Sequence, residues 1–133
     1  MYSHIILGAR DLPALIRFYS PVLQALGLER MEDEQDGGPE GAGWQLPGQH
    51  WPQFYLQMPF DGKAASVGNG TQVSFRARSR AQVDAAWAAA CLGGGRDEGA
   101  PGLRPQYGPD YYGAYCRDPE GHKLCFVFVE AFG

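Results

Sequence analysis

The sequence predicts an α+β fold made of two β-α-β-β-β modules, each with one helix and about four short strands. Nineteen glycines and ten prolines among 133 residues predict many turns and therefore many short elements. Two stretches carry apolar residues at the spacing of one helical face. The same strand-then-helix order occurs twice, with His4 and Gln72 each seven positions before a helix-capping residue, Asp11 or Ser79. Because an internal repeat decides the architecture, we read the chain as a duplicated module.

The first module spans residues 1–60. Alternation in the opening strand, residues 2–7, places Tyr2, His4 and Ile6 on one face. A helix then begins after Asp11 and ends at Gly27, and Pro21 predicts either a kink or a second short helix starting there. Three strands follow at 28–32, 43–46 and 53–58, with an exposed acidic loop at 32–41.

The second module spans residues 71–133 and follows a small, polar linker at 61–70. Its first strand, residues 71–77, puts Gln72, Ser74 and Arg76 on one face. Ser79 with Gln82 three residues later is typical of a capping box, and the helix ends at the glycines 93–95. Strands are predicted at 96–98, 111–116 and 123–129, the last two joined by a turn over 118–121.

The composition argues against several classes of function. Eleven basic against fifteen acidic residues give a net charge of −4, which argues against a nucleic-acid partner. The start of the chain does not resemble a signal peptide, and the longest apolar run, 124–129, is too short to span a bilayer. Three cysteines are too few for a disulfide scaffold. We expect one soluble, cytoplasmic domain over residues 1–133 that binds neither nucleic acid nor membranes.

Several segments of the chain together resemble the vicinal oxygen chelate superfamily, which includes glyoxalase I, extradiol dioxygenases and bleomycin-resistance-type binding proteins. The segments that carry the resemblance are His4–Leu7, Arg10–Leu12, Phe18–Tyr19, Thr71–Arg76 with Ser79, and Asp118–Gly121. Residues 99–113 are similar to a glyoxalase-like bacterial branch of that superfamily. The resemblance implies paired modules whose curled mixed sheets surround a cavity, with the helices outside.

The resemblance also implies a metal site with one ligand from each of four strands, His or Gln on the first strands and Glu on the last. His4 and Gln72 match the first-strand positions, and Cys125 stands where the last-strand glutamate belongs. The repeat spacing gives Gln57 as the fourth position, with Tyr55 on the same face as the alternative. Both carboxylates are therefore missing, so we expect either no cofactor or one divalent ion such as Zn²⁺, Ni²⁺, Mn²⁺ or Fe²⁺.

Each of these residues also has a simpler interpretation. His4 suits a pocket wall, and Cys125 is typical of a small buried residue. A nucleophilic Cys125 needs a neighbour that lowers its pKa, and only His4 or Arg76 is suggested. A metal clip of Cys116, Cys125 and His122 is disfavoured, because His122 follows a turn and is expected to be exposed.

Candidate substrate-binding residues come from the strands and loops near the expected cavity. Ser74 and Arg76 share a polar face with Gln72. Arg104 lies in a loop framed by Gly and Pro, where it either holds a carboxylate or remains solvated. Aromatic residues near the cavity suit a flat or apolar molecule, although most belong to the core or a dimer contact. The substrate-binding prediction is therefore Tyr55, Ser74, Arg76, Arg104 and Tyr112.

Three functions follow from these observations. The first is a glyoxalase-like protein with a degenerate metal site that binds a small molecule in its cavity. The second is an active metal-dependent lyase, isomerase or dioxygenase with an altered ligand set. The third is a drug-sequestering binding protein, and the resemblance implies a homodimer. Whether the protein is an enzyme stays open at this point.

Overall fold

A computed structural model describes residues 1–33 and 37–132 and shows two four-stranded sheets and two helices. The first half contains β1 (His4–Gly8), α1 (Leu12–Ala25), β2 (Glu29–Arg30), β3 (Gly41–Gln45) and β4 (Gln53–Gln57). The second half contains β5 (Gln72–Arg76), α2 (Arg80–Leu92), β6 (Arg96–Leu103), β7 (Tyr112–Arg117), β8 (Lys123–Phe128) and a 3₁₀ turn at Glu130–Phe132. Part of the expected loop at 32–41 lies outside the described residues.

The two sheets have the same topology. The N-terminal sheet has the strand order β1-β4-β3-β2, and the C-terminal sheet has the order β5-β8-β7-β6. In each sheet the first strand of the half pairs in parallel with the last, and the other pairs are antiparallel. The predicted α+β fold with duplicated modules is confirmed. The sheets stay separate and do not close into a barrel.

Both helices begin at the predicted capping residues. The Asp11 carboxylate accepts a hydrogen bond from the backbone N–H of Ala14, and the Ser79 hydroxyl accepts one from the backbone N–H of Gln82. These bonds satisfy N–H groups that have no partner inside the helix. In the described part of the chain no helix combines the length and the apolar composition that crossing a membrane requires.

Pro21 does not divide α1, which is a single helix from Leu12 to Ala25. The expectation of a second short helix is therefore wrong. Proline removes one hydrogen bond from a helix interior. Around it, however, Phe18, Tyr19, Val22 and Leu23 are all buried in the core, and this packing outweighs the lost bond.

One hydrophobic core serves both halves of the chain. Phe54 of β4 and Phe75 of β5 each lie on the helix-facing side of their sheet, with ring centroids 5.1 Å apart. The ring of Tyr19 on α1 packs 5.3 Å from that of Phe54. Side chains alternate along a strand. The opposite side of each sheet, here called its open face, therefore points away from the shared core.

A buried carboxylate joins the two halves at the turn before β8. One oxygen of Asp118 accepts the Tyr19 hydroxyl at 2.7 Å, and the other accepts the backbone N–H groups of Glu120, Gly121 and His122. Burial, reinforced by the Asp118 charge, raises the pKa of Tyr19 well above its ordinary value, so its hydroxyl remains a donor.

His122, expected to be exposed, is instead buried, with 7% of its surface accessible. Its Nε2 donates to the backbone carbonyl of Gly8 at 2.8 Å, in the opposite half of the chain. The Glu120 carboxylate accepts the backbone N–H groups of Arg10 and Asp11 just before α1. The turn is therefore an interface between the modules, and this contact buries His122.

Replacement of Tyr19 by Phe should lower the free energy of unfolding by about 1–3 kcal/mol, because it leaves a buried carboxylate oxygen without its donor. Chemical denaturation measures this loss. Tyr112→Phe is a matched control that removes an exposed tyrosine–carboxylate bond to Asp84 and should cost less than about 1 kcal/mol. Equal losses in the two variants would contradict a special role for the Asp118 contact.

Candidate functional site

The open face of the N-terminal sheet carries His4 and Tyr55. In the parallel register of β1 with β4, Ile6 lies beside Tyr55 and Gly8 beside Gln57. The side chains of Ile6, Tyr55 and Gln57 therefore share one face with His4. The His4 ring is exposed, lies 6.5 Å from the Tyr55 ring, and has its Nδ1 2.7 Å from the Ser3 hydroxyl. This face therefore carries an imidazole, a phenol and an amide.

Gly43 of β3 makes room for Tyr55. A Cβ at Gly43 would lie 2.6 Å from Cε1 of Tyr55, closer than non-bonded carbon atoms approach in proteins. The ring therefore lies across the glycine backbone of the neighbouring strand. Any larger residue at position 43 would displace it.

The strand registers revise the position assigned by the repeat spacing. Tyr55 pairs with Ile6 on β1, and Cys125 pairs with the equivalent residue Ser74 on β5. Gln57, in contrast, pairs with Gly8 at the end of β1. The structure thus makes Tyr55 the counterpart of Cys125 and places Gln57 one pleat further along the strand.

The open face of the C-terminal sheet presents Gln72, Ser74 and Arg76, as the alternation predicts. The Gln72 amide donates to the Ser74 hydroxyl at 2.9 Å. Arg76, at the end of β5, turns to the 3₁₀ turn, where its guanidinium stacks on the Phe132 ring and donates to the carbonyl of the same residue. Arg76 is therefore held by the C-terminal segment.

Cys125 lies on the same face but is fully buried beneath two tyrosines. The Tyr111 hydroxyl lies 3.6 Å from the Cys125 sulfur and 3.1 Å from the Tyr115 hydroxyl. Burial is the main cause that raises the pKa of both tyrosines above the ordinary value, so both are neutral hydrogen-bonding groups. The thiol is covered by phenol groups rather than open to a ligand.

Arg104 and Tyr112 lie on opposite sides of the C-terminal sheet. The Arg104 guanidinium lies 5.6 Å from the centroid of Tyr115 on the open face. Tyr112 is on the helix-facing side, where its hydroxyl donates to Asp84 of α2 at 2.6 Å and Arg80 stacks on its ring. The structure therefore separates Tyr112 from the other substrate-binding candidates.

Comparison with known proteins supports a family assignment. Residues 2–126 match the model of the Glyoxalase/Bleomycin resistance protein/Dioxygenase superfamily. The chain belongs to this superfamily. A glyoxalase/bleomycin resistance protein from Albidiferax ferrireducens T118 is 33% identical, with a TM-score of 0.81 over 97% of this chain and 98% of that one. No curated protein matches the sequence.

More distant members of the superfamily share the fold. A lactoylglutathione lyase from Agrobacterium tumefaciens is 20% identical, with a TM-score of 0.67 over all of this chain and 96% of that one. A glyoxalase-related enzyme from Fulvimarina pelagi is also 20% identical, with a TM-score of 0.71 over 97% of this chain and 88% of that one. At this identity the similarity establishes the architecture alone.

The donor set does not fit the divalent ion that the superfamily resemblance implies. His4 and Tyr55 lie on one sheet, whereas Gln72 and Cys125 lie on the open face of the other. None of the four is a carboxylate, and the Cys125 thiol is sequestered by Tyr111. Across the described ranges 1–33 and 37–132, no three His, Cys, Asp or Glu side chains form a metal-binding group.

Sequence reasoning missed one residue at the open face of the C-terminal sheet. Lys123 stands two positions before Cys125 on β8, and its ammonium lies 5.7 Å from the centroid of the Tyr115 ring. The same alternation that places Cys125 on this face also predicts Lys123 there. The position of Lys123 on this face was therefore predictable from the sequence, but lysine is not among the residues that commonly bind metal ions.

Replacement of Tyr111 by Ala should expose the Cys125 thiol. Because Cys116 and Cys125 are buried and Cys91 is partly exposed, the native protein should react with a thiol reagent once per chain. The Tyr111→Ala variant should react twice, and adding Cys125→Ala should return it to one.

Tyr107→Ala is the control for this titration, because it removes an exposed neighbouring tyrosine without touching the sulfur. Unchanged reactivity in a Tyr111→Ala variant with a native circular dichroism spectrum would contradict the described cover.

Proposed function

We propose that this superfamily member binds a small molecule at the open faces of its sheets without a resident divalent metal. The observation that carries the proposal is the occupancy of the two last-strand positions, where Tyr55 and Cys125 stand in place of the glutamates that the resemblance implies. Hard divalent ions prefer carboxylate oxygens, and neither residue supplies one. Imidazole, phenol and amide groups instead suit hydrogen bonding to an organic ligand.

The alternative is a metal-dependent lyase, isomerase or dioxygenase with an altered ligand set. That function requires a metal ion held through His4, the imidazole among the four candidates. A soft ion such as Zn²⁺ would have to use His4 together with Cys125. The Cys125 thiol is buried beneath Tyr111 and Tyr115, and this cover favours the metal-independent function.

Metal analysis of protein purified without chelators separates the two functions. We expect far less than one metal ion per chain. If Zn²⁺, Ni²⁺, Mn²⁺ or Fe²⁺ raises the melting temperature at all, the native protein and His4→Ala should respond equally. A metal present at a hundred times its dissociation constant would stabilise the native state by about 2.7 kcal/mol, which a thermal scan detects readily. Stoichiometric metal that disappears in His4→Ala would overturn the proposal.

We also propose that a second copy of the chain covers the open faces. Ile6, Trp51 and Phe60, around the N-terminal sheet, are exposed by 46%, 53% and 88%. Apolar groups gathered on one side of a protein mark an interaction surface. A homodimer, which the resemblance also implies, would bury these apolar groups and shield the open faces from solvent.

Replacement of Ile6 by Glu should weaken this dimer by more than about tenfold, because a carboxylate would have to be desolvated in the contact. Sedimentation velocity over a concentration series measures the change. Leu92→Glu introduces the same charge at the exposed end of α2 and should leave association unchanged. A native protein that sediments as a monomer at every concentration would contradict the proposal.

The cytoplasm is the location that we propose for the protein. Cys91, Cys116 and Cys125 are all unpaired thiols. Unpaired cysteines are typical of a reducing compartment, whereas secreted domains tend to pair them.

A further inference from the structure

We propose that the open face of the C-terminal sheet binds a small aromatic anion, held by Arg104 and Lys123 above a floor of tyrosine rings. The surface concerned, here called the tyrosine basin, is lined by Gln72, Arg104, Tyr107, Tyr111, Tyr115 and Lys123, among others. This inference rests on the proposed function, because it names the ligand class of a metal-independent binding site.

The charge of the tyrosine basin is positive. The Arg104 guanidinium and the Lys123 ammonium lie 5.6 and 5.7 Å from the centroid of the Tyr115 ring. The carboxylate of Glu98 also lines the basin. It is ion-paired with Arg117, and this pairing, with smaller contributions from Lys123 and Arg96, lowers its pKa. The negative charge in the basin is therefore already compensated, while two cations flank the aromatic floor.

Two glycines of β6 leave room for the Arg104 side chain to lie against the sheet. A Cβ at Gly99 or Gly102 would lie 3.2 Å from a guanidinium nitrogen of Arg104. Nη2 of Arg104 also donates to the Ala100 carbonyl at 2.8 Å. A guanidinium has five N–H donors, so this bond leaves others for an anionic oxygen. The guanidinium is thus positioned before a ligand arrives, which lowers the entropic cost of binding.

The floor of the basin suits a planar ring. Tyr107 and Tyr111 contact each other edge to face, with centroids 5.3 Å apart, and Tyr107 is 65% exposed. Aromatic pairs of this kind accept a further ring by offset stacking or edge contact. The Tyr111 and Tyr115 hydroxyls bond to each other, and this neutral pair leaves one O–H that can donate to an anion without adding negative charge.

Binding of benzoate to the full chain tests this assignment, with benzamide and benzylammonium as neutral and cationic probes of similar shape. Isothermal titration or chemical-shift perturbation measures the affinities. Benzoate should bind saturably and at least about tenfold more tightly than either of the other probes, because only benzoate pairs with the two cations. Phenyl phosphate distinguishes the two possible headgroups, since its affinity relative to benzoate tells phosphate from carboxylate.

The variants Arg104→Gln and Lys123→Gln should each weaken benzoate binding about five- to tenfold. Arg104→Lys keeps the charge but loses the planar fork, and its affinity should fall between those of the native protein and Arg104→Gln. The control is Arg17→Gln, which removes one exposed positive charge from α1, outside the basin. Circular dichroism confirms that each variant is folded.

Three results would overturn the aromatic-anion assignment. They are the absence of saturable binding by either aromatic anion, equal affinity for benzoate and benzamide, and unchanged benzoate affinity in both Arg104→Gln and Lys123→Gln. None of these alters the metal content of the protein. Failure of this inference is therefore distinguishable from failure of the proposed metal-independent function, which the metal analysis decides.

Discussion

The Asp118 carboxylate holds the two halves of the chain in their relative orientation. It is buried, accepts a hydroxyl from α1 in the first half, and organises the turn before β8 in the second half through three backbone N–H groups. A buried charge is costly unless such partners satisfy it. The turn therefore has few alternative conformations, and α1 is fixed against it. With the helices and the inner sides of both sheets committed to one core, the open faces are left for function.

These open faces differ in chemistry although their backbones repeat. The N-terminal face carries His4 and Tyr55, an imidazole and a phenol. On the C-terminal face, Arg104 and Lys123 flank a cluster of tyrosines that covers a thiol. Since the superfamily fold supports many reactions, the side chains decide the activity. Here they favour recognition by hydrogen bonds, rings and cations over Lewis-acid chemistry.

The sequence predicted the architecture because each signal was local. Alternation correctly separated Ile6, which is exposed, from Leu7, which is buried, and the capping residues Asp11 and Ser79 fixed where the helices begin. The candidate ligand position was less predictable. The chain from first strand to last strand is two residues shorter in the first half, where Ile6 pairs with Tyr55, than in the second, where Ser74 pairs with Cys125. One repeat spacing therefore does not fit both halves, and Gln57 was favoured over Tyr55.

Other errors arose where distant parts of the chain meet. His122 follows a turn, but its environment depends on Gly8, more than a hundred residues away. The adjacent residues Tyr111 and Tyr112 must point to opposite sides of the sheet. Only the pairing of β7 with β8 decides which of the two lies on the open face. Arg76 was placed on the correct face, yet its contact with Phe132 involves a segment that carries no recognisable signal.

The Asp118 contact also makes the two halves of the duplicated fold non-equivalent. Trp87 on α2 occupies the position of Tyr19 on α1, eight residues after the helix cap, and Gly48 stands where Asp118 does, five residues before the last strand of its half. Gly48 offers no carboxylate, and within the described chain the buried indole N–H of Trp87 lacks a hydrogen-bond partner. The first half thus supplies the donor and the second half the acceptor. A circular permutant would retain this contact, whereas a tandem of two identical halves would lose it.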